Sequence, residues 1–171
     1  MGFFDFLFGN KEDPTKDWPV TDFSTPDFVM QEQSFGRLHF GCELADAQHF
    51  GRPDLFVWRD NDYCELVYAC HGFQLDFEEG RLCYIAFFIG PDSCLPNLPG
   101  MVFSQPCFEK VAQFTQKTTS QDLVDLFGEP ISEDFDSEEI VRNFVHSRLV
   151  FECELTPEGF LKRLNLFPEQ D

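Results

Sequence analysis

Apolar and polar residues alternate in two blocks of the chain, and each block follows a short amphipathic run. In the first block, strand-like sequence begins at 56–58 and continues over 63–70, 73–78 and 81–89. Such alternation is typical of strands that bury one face, and the breaks between the runs contain turn-forming residues. Because short turns make consecutive strands antiparallel, the first block predicts a four-stranded antiparallel meander.

The same motif, Phe-Gly-x-Pro, ends both amphipathic runs, first at Phe50-Gly51 and again at Phe127-Gly128. Glycine just past a helix can adopt the left-handed conformation that releases the last carbonyl groups, and a nearby proline prevents the helix from continuing. Each run is therefore predicted to be a short helix with one apolar face. The apolar positions are Leu44, Ala47 and Phe50 in the first run and Leu123, Leu126 and Phe127 in the second.

The second block repeats the strand pattern of the first. Its strand candidates are 131–135, 139–145, 148–155 and 160–167. Thr119-x-x-Asp122 resembles a capping box at the start of the second helix. The repeated order predicts an α+β fold of two tandem repeats, each a short helical segment packed on a four-stranded antiparallel meander. The expected organisation is an N-terminal arm at 1–33, repeat 1 at 34–90, a proline-rich connector at 91–113 and repeat 2 at 114–171.

Two copies of a helix that ends in Phe-Gly-x-Pro before a four-stranded meander resemble the β-lactamase-inhibitor-protein fold, whose single-copy relatives are the small outer-membrane assembly lipoproteins. The resemblance covers about residues 38–90 and 114–167, and it also rests on Gly41, Thr119 and the strand spacing. It implies a non-catalytic module that binds other proteins through one face of its sheet. The sequence departs from that family because it shows no signal peptide, lipidation cysteine or evident disulfide pattern, so inhibition of an extracellular enzyme is not expected.

If each turn has two residues, alternation divides the first meander into two faces. The face expected under the helix carries Leu55, Val57, Leu66, Tyr68, Phe73, Leu75, Phe77, Leu82, Tyr84 and Phe88. The opposite face mixes aromatic residues with acids, which is typical of an interface hot spot inside a polar rim. Its candidate partner-binding residues are Phe56, Trp58, Glu65, Asp76, Glu78, Ile85 and Phe87. The alternative interpretation is that the arm or the connector covers the apolar part of this face.

Charge narrows the class of partner. The chain has 31 acidic and 12 basic residues, a net charge of −19. Such a field repels nucleic acid and anionic lipid and favours a basic protein partner, although it also serves solubility. Five acids crowd one loop of the second repeat and are further candidates for steering a basic partner. They are Glu133, Asp134, Asp136, Glu138 and Glu139.

The sequence shows no catalytic or metal-binding pattern. The seven cysteines form no CxxC pair, so neither a metal site nor a cofactor is predicted. Their odd number without a secretion signal predicts reduced thiols and a cytoplasmic location. No run reaches the ~20 apolar residues of a membrane-spanning helix.

The leading hypothesis is therefore a non-catalytic protein-binding module, in its most specific form an immunity- or inhibitor-type protein that masks a basic partner. A structural protein that associates with a second copy of itself is the next alternative. An enzyme that uses carboxylates or Cys70 is the least favoured.

Overall fold

The computed structural model describes residues 11–91, 98–108 and 112–169. In the first half, the strands are β1 Phe28–Val29, β2 Ser34–Phe35, β3 Leu38–His39, β4 Leu55–Trp58, β5 Tyr63–Tyr68, β6 Phe73–Glu78 and β7 Arg81–Phe88. In the second half, they are β8 Cys107–Phe108, β9 Ala112–Gln113, β10 Ser132–Phe135, β11 Ile140–His146, β12 Leu149–Leu155 and β13 Leu161–Pro168. Residues 1–10 of the expected arm and 92–97 and 109–111 of the expected connector lie outside the described residues.

An eight-stranded antiparallel sheet dominates the structure, in the order β10-β11-β12-β13-β7-β6-β5-β4. It consists of two four-stranded meanders joined where β13 pairs with β7, from Arg163 opposite Phe88 to Leu166 opposite Ile85. The two halves therefore share one continuous sheet. The edges of this sheet are β4 and β10.

A second, smaller sheet contains only two-residue strands, in the order β3-β2-β1-β8-β9. Its strands pair antiparallel except for β1 and β8, which are parallel at Phe28 and Phe108. Both phenylalanines are buried. Residues of the arm and of the connector thus meet in this sheet and contribute to the core.

The prediction of an α+β fold with a helix in each repeat is wrong. The structure is mostly β, with 42% strand and 12% helix. The second amphipathic run is an α-helix, α1, of eight residues at Ser120–Phe127, but the first, Leu44–Phe50, is a 3-10 helix. Its apolar residues are spaced by three, and three residues per turn is the 3-10 repeat. A second 3-10 turn covers Ala69–His71.

Phenylalanine rings form a continuous path through the core beneath the large sheet. Successive ring centroids lie between 4.6 and 6.2 Å apart along it. Contacts of this kind contribute about 0.5–1.5 kcal/mol each beyond the area they bury. In order, the path runs through Phe50, Phe35, Phe87, Phe108, Phe151 and Phe127.

This path links the phenylalanines of the two Phe-Gly-x-Pro motifs. The halves are therefore packed against a common core. Among the described residues, no helix combines the length and the apolar character needed to cross a membrane.

Candidate functional site

Phe56 and Trp58 lie on the core face of the large sheet, not on the opposite face where they were predicted. β4 pairs with β5 so that Phe56 is opposite Leu66 and Trp58 is opposite Cys64. Residues directly opposite each other in an antiparallel pair share a face. Since Leu66 and Cys64 are buried in the core, the two aromatic side chains pack at its margin.

The physical reason is the length of the turn between β4 and β5. The N–H of Arg59 donates to the carbonyl of Tyr63 at 3.0 Å, which leaves a three-residue loop at 60–62. Within it, the Asp60 carboxylate accepts the N–H groups of Asp62 and Tyr63, both at 2.8 Å. A three-residue loop shifts the register by one relative to a two-residue turn, and that shift exchanges the two faces of β4.

Ile85 and Phe87 are also on the core face and are fully buried. On β7, Leu82 and Tyr84 pair with consecutive residues of β6, so Cys83 is an extra, bulged residue. A bulge interrupts the alternation and exchanges the faces of the residues that follow it. Because no partner can reach either side chain, Ile85 and Phe87 leave the candidate surface.

The predicted acids Glu65 and Asp76 do lie together on the face opposite the core, which we call the far face. Glu65 accepts two hydrogen bonds from Arg59, at 2.6 and 2.8 Å. Asp76 is only 4% exposed and accepts hydrogen bonds from Tyr63 at 2.7 Å and Gln74 at 2.8 Å. Burial raises the pKa of Asp76 to about 6, although both hydrogen bonds act in the opposite direction.

The polar cluster of the far face continues across the junction of the two meanders. Asn165 is fully buried, and its Nδ2 donates to Glu152 at 2.9 Å and to Glu154 at 2.8 Å. Its Oδ1 accepts a hydrogen bond from Arg163 at 3.1 Å. These buried polar groups form hydrogen bonds with one another. Charged side chains can therefore be buried on the far face. The remaining predicted acid, Glu78, is exposed at the end of β6.

The connector covers the apolar end of the far face. Leu98 and Met101 pack against the buried cluster that contains Ala86 and Phe88. The N–H of Ser104 donates to the Phe88 carbonyl at 2.7 Å. This part of the face is therefore occupied by the chain itself, as the alternative interpretation expected.

Residues 131–139, which we call the β10 segment, combine exposed apolar side chains with the five acids of the predicted loop. Every residue from 131 to 138 is exposed. Ile131 is 65% exposed and Phe135 is 73% exposed, unusual values for side chains of this size. The sequence analysis singled out the acids but missed these two residues, which an apolar position inside an acidic run could have indicated.

The acids of the β10 segment are not equivalent. Glu133 forms an ion pair with Arg142. Asp136 accepts the N–H groups of Glu138 at 2.7 Å and Glu139 at 3.0 Å, and these hydrogen bonds lower its pKa.

Glu139 and Asp134, two further acids of the segment, also form hydrogen bonds within the protein. Glu139 accepts a hydrogen bond at 2.5 Å from the buried Lys162, so its carboxylate stabilises a buried charge of the folded protein. The carboxylate of Asp134 accepts the N–H of Phe135 at 2.9 Å.

Cys70 and His71 do not form a nucleophile and base. The ring of His71 stacks on Phe23, with centroids 3.8 Å apart. Desolvation, followed by the charge of Asp54, raises the pKa of the Cys70 thiol, whereas a nucleophilic cysteine needs a lowered pKa. In the part of the chain that the structure describes, no group of three or more His, Cys, Asp or Glu side chains could hold a metal ion.

Comparison with known proteins identifies a similar fold but no family. No protein-family model matches the chain, and no curated protein matches it. A solved structure of a DUF4309 family protein, YjgB from Bacillus subtilis subsp. subtilis str. 168, is similar with a TM-score of 0.52 and 15% identity. The match covers 79% of this chain and 84% of that one. At this identity the likeness concerns the fold alone.

Proposed function

We propose that this chain is a non-catalytic protein-binding module and that its β10 segment contacts a basic protein. The observation that carries the proposal is the exposure of Ile131 and Phe135 in the β10 segment, at an edge of the sheet and among acids. An exposed aromatic side chain inside a charged rim is the usual composition of a binding hot spot. The far face fits this role less well, because Asp76 is buried and the connector covers the apolar end of that face.

The two kinds of residue would act at different stages of binding. Burying a side chain such as Phe or Ile contributes about 1.5–3 kcal/mol, so Phe135 and Ile131 would provide affinity. The exposed acids would attract a basic partner and raise its association rate, an effect that weakens as salt screens the charges. The dissociation rate should therefore depend mainly on Phe135 and the association rate on the acids, and both rates determine the affinity.

The resemblance to the β-lactamase-inhibitor-protein fold, which rests on the sequence motifs alone, would imply the same class of function. In its most specific form, the proposal is an immunity- or inhibitor-type protein that masks a basic partner. The surface differs from the one expected from that family, because the β10 segment is an edge of the sheet and not a face.

The proposal can be tested with two variants of equal charge. One neutralises exposed acids of the β10 segment, and the control neutralises exposed acids of the arm. Every protein captured by the unmodified chain would be purified and titrated against both variants by calorimetry at low and high salt. The substitutions are Glu133→Gln, Asp134→Asn and Glu138→Gln in the first variant and Asp17→Asn, Asp22→Asn and Glu32→Gln in the control.

We expect the first variant to bind at least tenfold more weakly than the control, and Phe135→Ala to weaken binding by a further factor of ten or more. Equal affinity of the two charge variants for every captured protein would refute the proposal. So would recovery of acidic proteins alone.

Self-association is the second candidate function, since exposed apolar residues on an edge strand also favour pairing of two copies. Charge opposes it, because antiparallel pairing of β10 with itself brings Glu133 and Asp134 of the two copies close together. Sedimentation velocity distinguishes the two candidates. A dimer that Phe135→Ala dissociates would favour self-association, and a monomer would favour a basic partner.

A further inference from the structure

We infer that the partner binds by strand addition: an extended basic segment pairs with the free edge of β10 and continues the sheet. This inference rests on the proposed function and adds the kind of partner and the mode of binding. It depends on which backbone groups of β10 point away from β11, and the hydrogen bonds of the structure determine them.

The N–H of Asp136 donates to the carbonyl of Glu139 at 3.0 Å, so residue 136 faces β11. In an antiparallel ladder the N–H and C=O groups of successive residues point to opposite sides. Ser132 and Asp134 therefore also direct their backbone groups toward β11. Glu133 and Phe135 direct theirs outward, where the described residues place no further strand.

The outward edge is partly protected. The carboxylate of Asp134 accepts the outward N–H of Phe135 at 2.9 Å, so this donor is satisfied until a partner arrives. Charged side chains on an edge strand are a usual protection against uncontrolled pairing. A cationic partner side chain would draw the Asp134 carboxylate away by ion pairing and release the N–H for the new strand.

The side chains of β10 define the partner. Cross-strand neighbours lie about 5 Å apart, so the residue opposite Glu133 should be Lys or Arg. The residue opposite Phe135, two positions along the same face, should be apolar, because aromatic and β-branched pairs stabilise a sheet. The occupant is therefore an extended segment in which basic and apolar residues occur two positions apart.

The test uses the full chain and a synthetic octapeptide of alternating lysine and valine that carries a fluorophore. A second peptide has the same sequence but is N-methylated along its central half, which removes hydrogen-bond donors without changing charge. Fluorescence anisotropy at low salt gives both dissociation constants. We expect the N-methylated peptide to bind at least tenfold more weakly.

A proline substitution tests the same point on the protein. Glu133→Pro removes the outward N–H, which edge strands tolerate. Glu133→Thr is the matched control: like the proline, it removes the carboxylate and its ion pair with Arg142, but it keeps the N–H. We expect the proline variant to bind the lysine–valine peptide at least tenfold more weakly than the threonine variant. Circular dichroism checks that both variants fold, and hydrogen exchange of the Glu133 amide in the unmodified chain should slow when the peptide binds.

Equal binding of the two peptides, or no binding of either, would overturn strand addition. The same conclusion would follow if the folded proline and threonine variants bound equally. These results are distinguishable from failure of the proposed function. If neutralising the acids abolishes capture of the basic protein while Glu133→Pro retains it, the proposed function stands and strand addition is wrong; if neither change matters, both are wrong.

Discussion

Replacing Gly51 by alanine should destabilise the protein much more than the same change at Gly128, although the two occupy the same position in the two Phe-Gly-x-Pro motifs. Both have backbone angles that only glycine readily adopts, with φ 76° and ψ −167° at Gly51 and φ 87° and ψ −163° at Gly128. Both also donate their N–H to the preceding helical turn. The backbone contribution to the two substitutions is therefore similar.

The surroundings of the two glycines differ. A Cβ at Gly51 would lie 2.5 Å from the carbonyl oxygen of Pro19 and 2.5 Å from Oγ1 of Thr21. The carbonyl belongs to the backbone, and it also accepts the N–H of Arg52 at 2.8 Å, so it cannot move freely. A Cβ at Gly128 would meet no heavy atom within 4 Å.

These observations give a magnitude for each change. The strained backbone costs about 1–3 kcal/mol at either site. Crowding at Gly51 adds about 1–3 kcal/mol, the usual cost of overpacking a well-filled site. We expect the free energy of unfolding to fall by about 1–3 kcal/mol in Gly128→Ala and by about 2–6 kcal/mol in Gly51→Ala.

Urea unfolding followed by tryptophan fluorescence measures both losses, since Trp18 and Trp58 pack against the core. The slope of the transition must be compared as well, because a changed slope would mean that the unfolded state had changed. Equal losses of stability in the two variants would refute the reasoning, and so would a larger loss in Gly128→Ala. Either result would mean that the Pro19 carbonyl can move away from a Cβ at position 51.

Three further predictions concern Asp76, Thr119 and Glu139. The pKa of Asp76 is about 6 in the folded protein against an ordinary 3.8, so the folded state binds more protons in that window and its stability falls as pH rises through it. At about 1.4 kcal/mol for each pH unit, the part of this fall that lies between pH 4.5 and pH 7.5 is about 2 kcal/mol. Asp76→Asn should remove it, so denaturation at these two pH values should show a flatter profile. Thr119→Ala removes the hydroxyl that accepts the Asp122 N–H at 3.2 Å, and should lower the free energy of unfolding by about 1 kcal/mol; no loss would mean that α1 does not depend on this cap. Glu139→Gln weakens the ion pair of the buried Lys162 and should cost about 1–3 kcal/mol in urea unfolding, whereas the exposed control Glu138→Gln should change stability by less than about 0.5 kcal/mol.

The order of strands within each meander could be predicted, because turn residues and alternation are local properties of the sequence. The turn at Glu79-Gly80 is an example: it has two residues, and Glu78 pairs with Arg81 across it as expected. Alternation gave the correct faces for β5, for β6 and for the first two residues of β7. The tandem duplication itself remains a prediction.

The faces of β4 and of the second part of β7 could not be predicted by the same reasoning. A third loop residue in 60–62 and one bulged residue, Cys83, each shift the register by one. The local sequence does not distinguish a two-residue turn from a three-residue loop, nor a regular strand from a bulged one. The candidate surface moved as a result, because Phe56, Trp58, Ile85 and Phe87 all proved to face the core.

The pairing of β7 with β13 also could not be predicted from the local sequence. β13 mixes apolar and polar residues, whereas β7 is apolar from Leu82 to Phe88. A continuous apolar run is consistent with a strand buried on both faces, but it does not identify the neighbouring strand. The pairing is determined by contacts distant in sequence, such as Phe108 with both Phe87 and Phe151 and the buried Asn165. Such contacts become evident only when the halves are packed together.

This junction also determines which edge of the sheet is open to a partner. With β7 and β13 paired at the centre, the outer strands are β4 and β10. The arm contacts the Trp58 side chain of β4, since its indole N–H donates to the Glu12 carbonyl at 3.3 Å and the Lys11 ammonium lies 4.4 Å from its ring centroid. The four residues of β4 are accordingly half-buried, whereas those of β10 are all exposed. We therefore expect a basic segment that extends this sheet to prefer β10, where acids and exposed apolar side chains occur together.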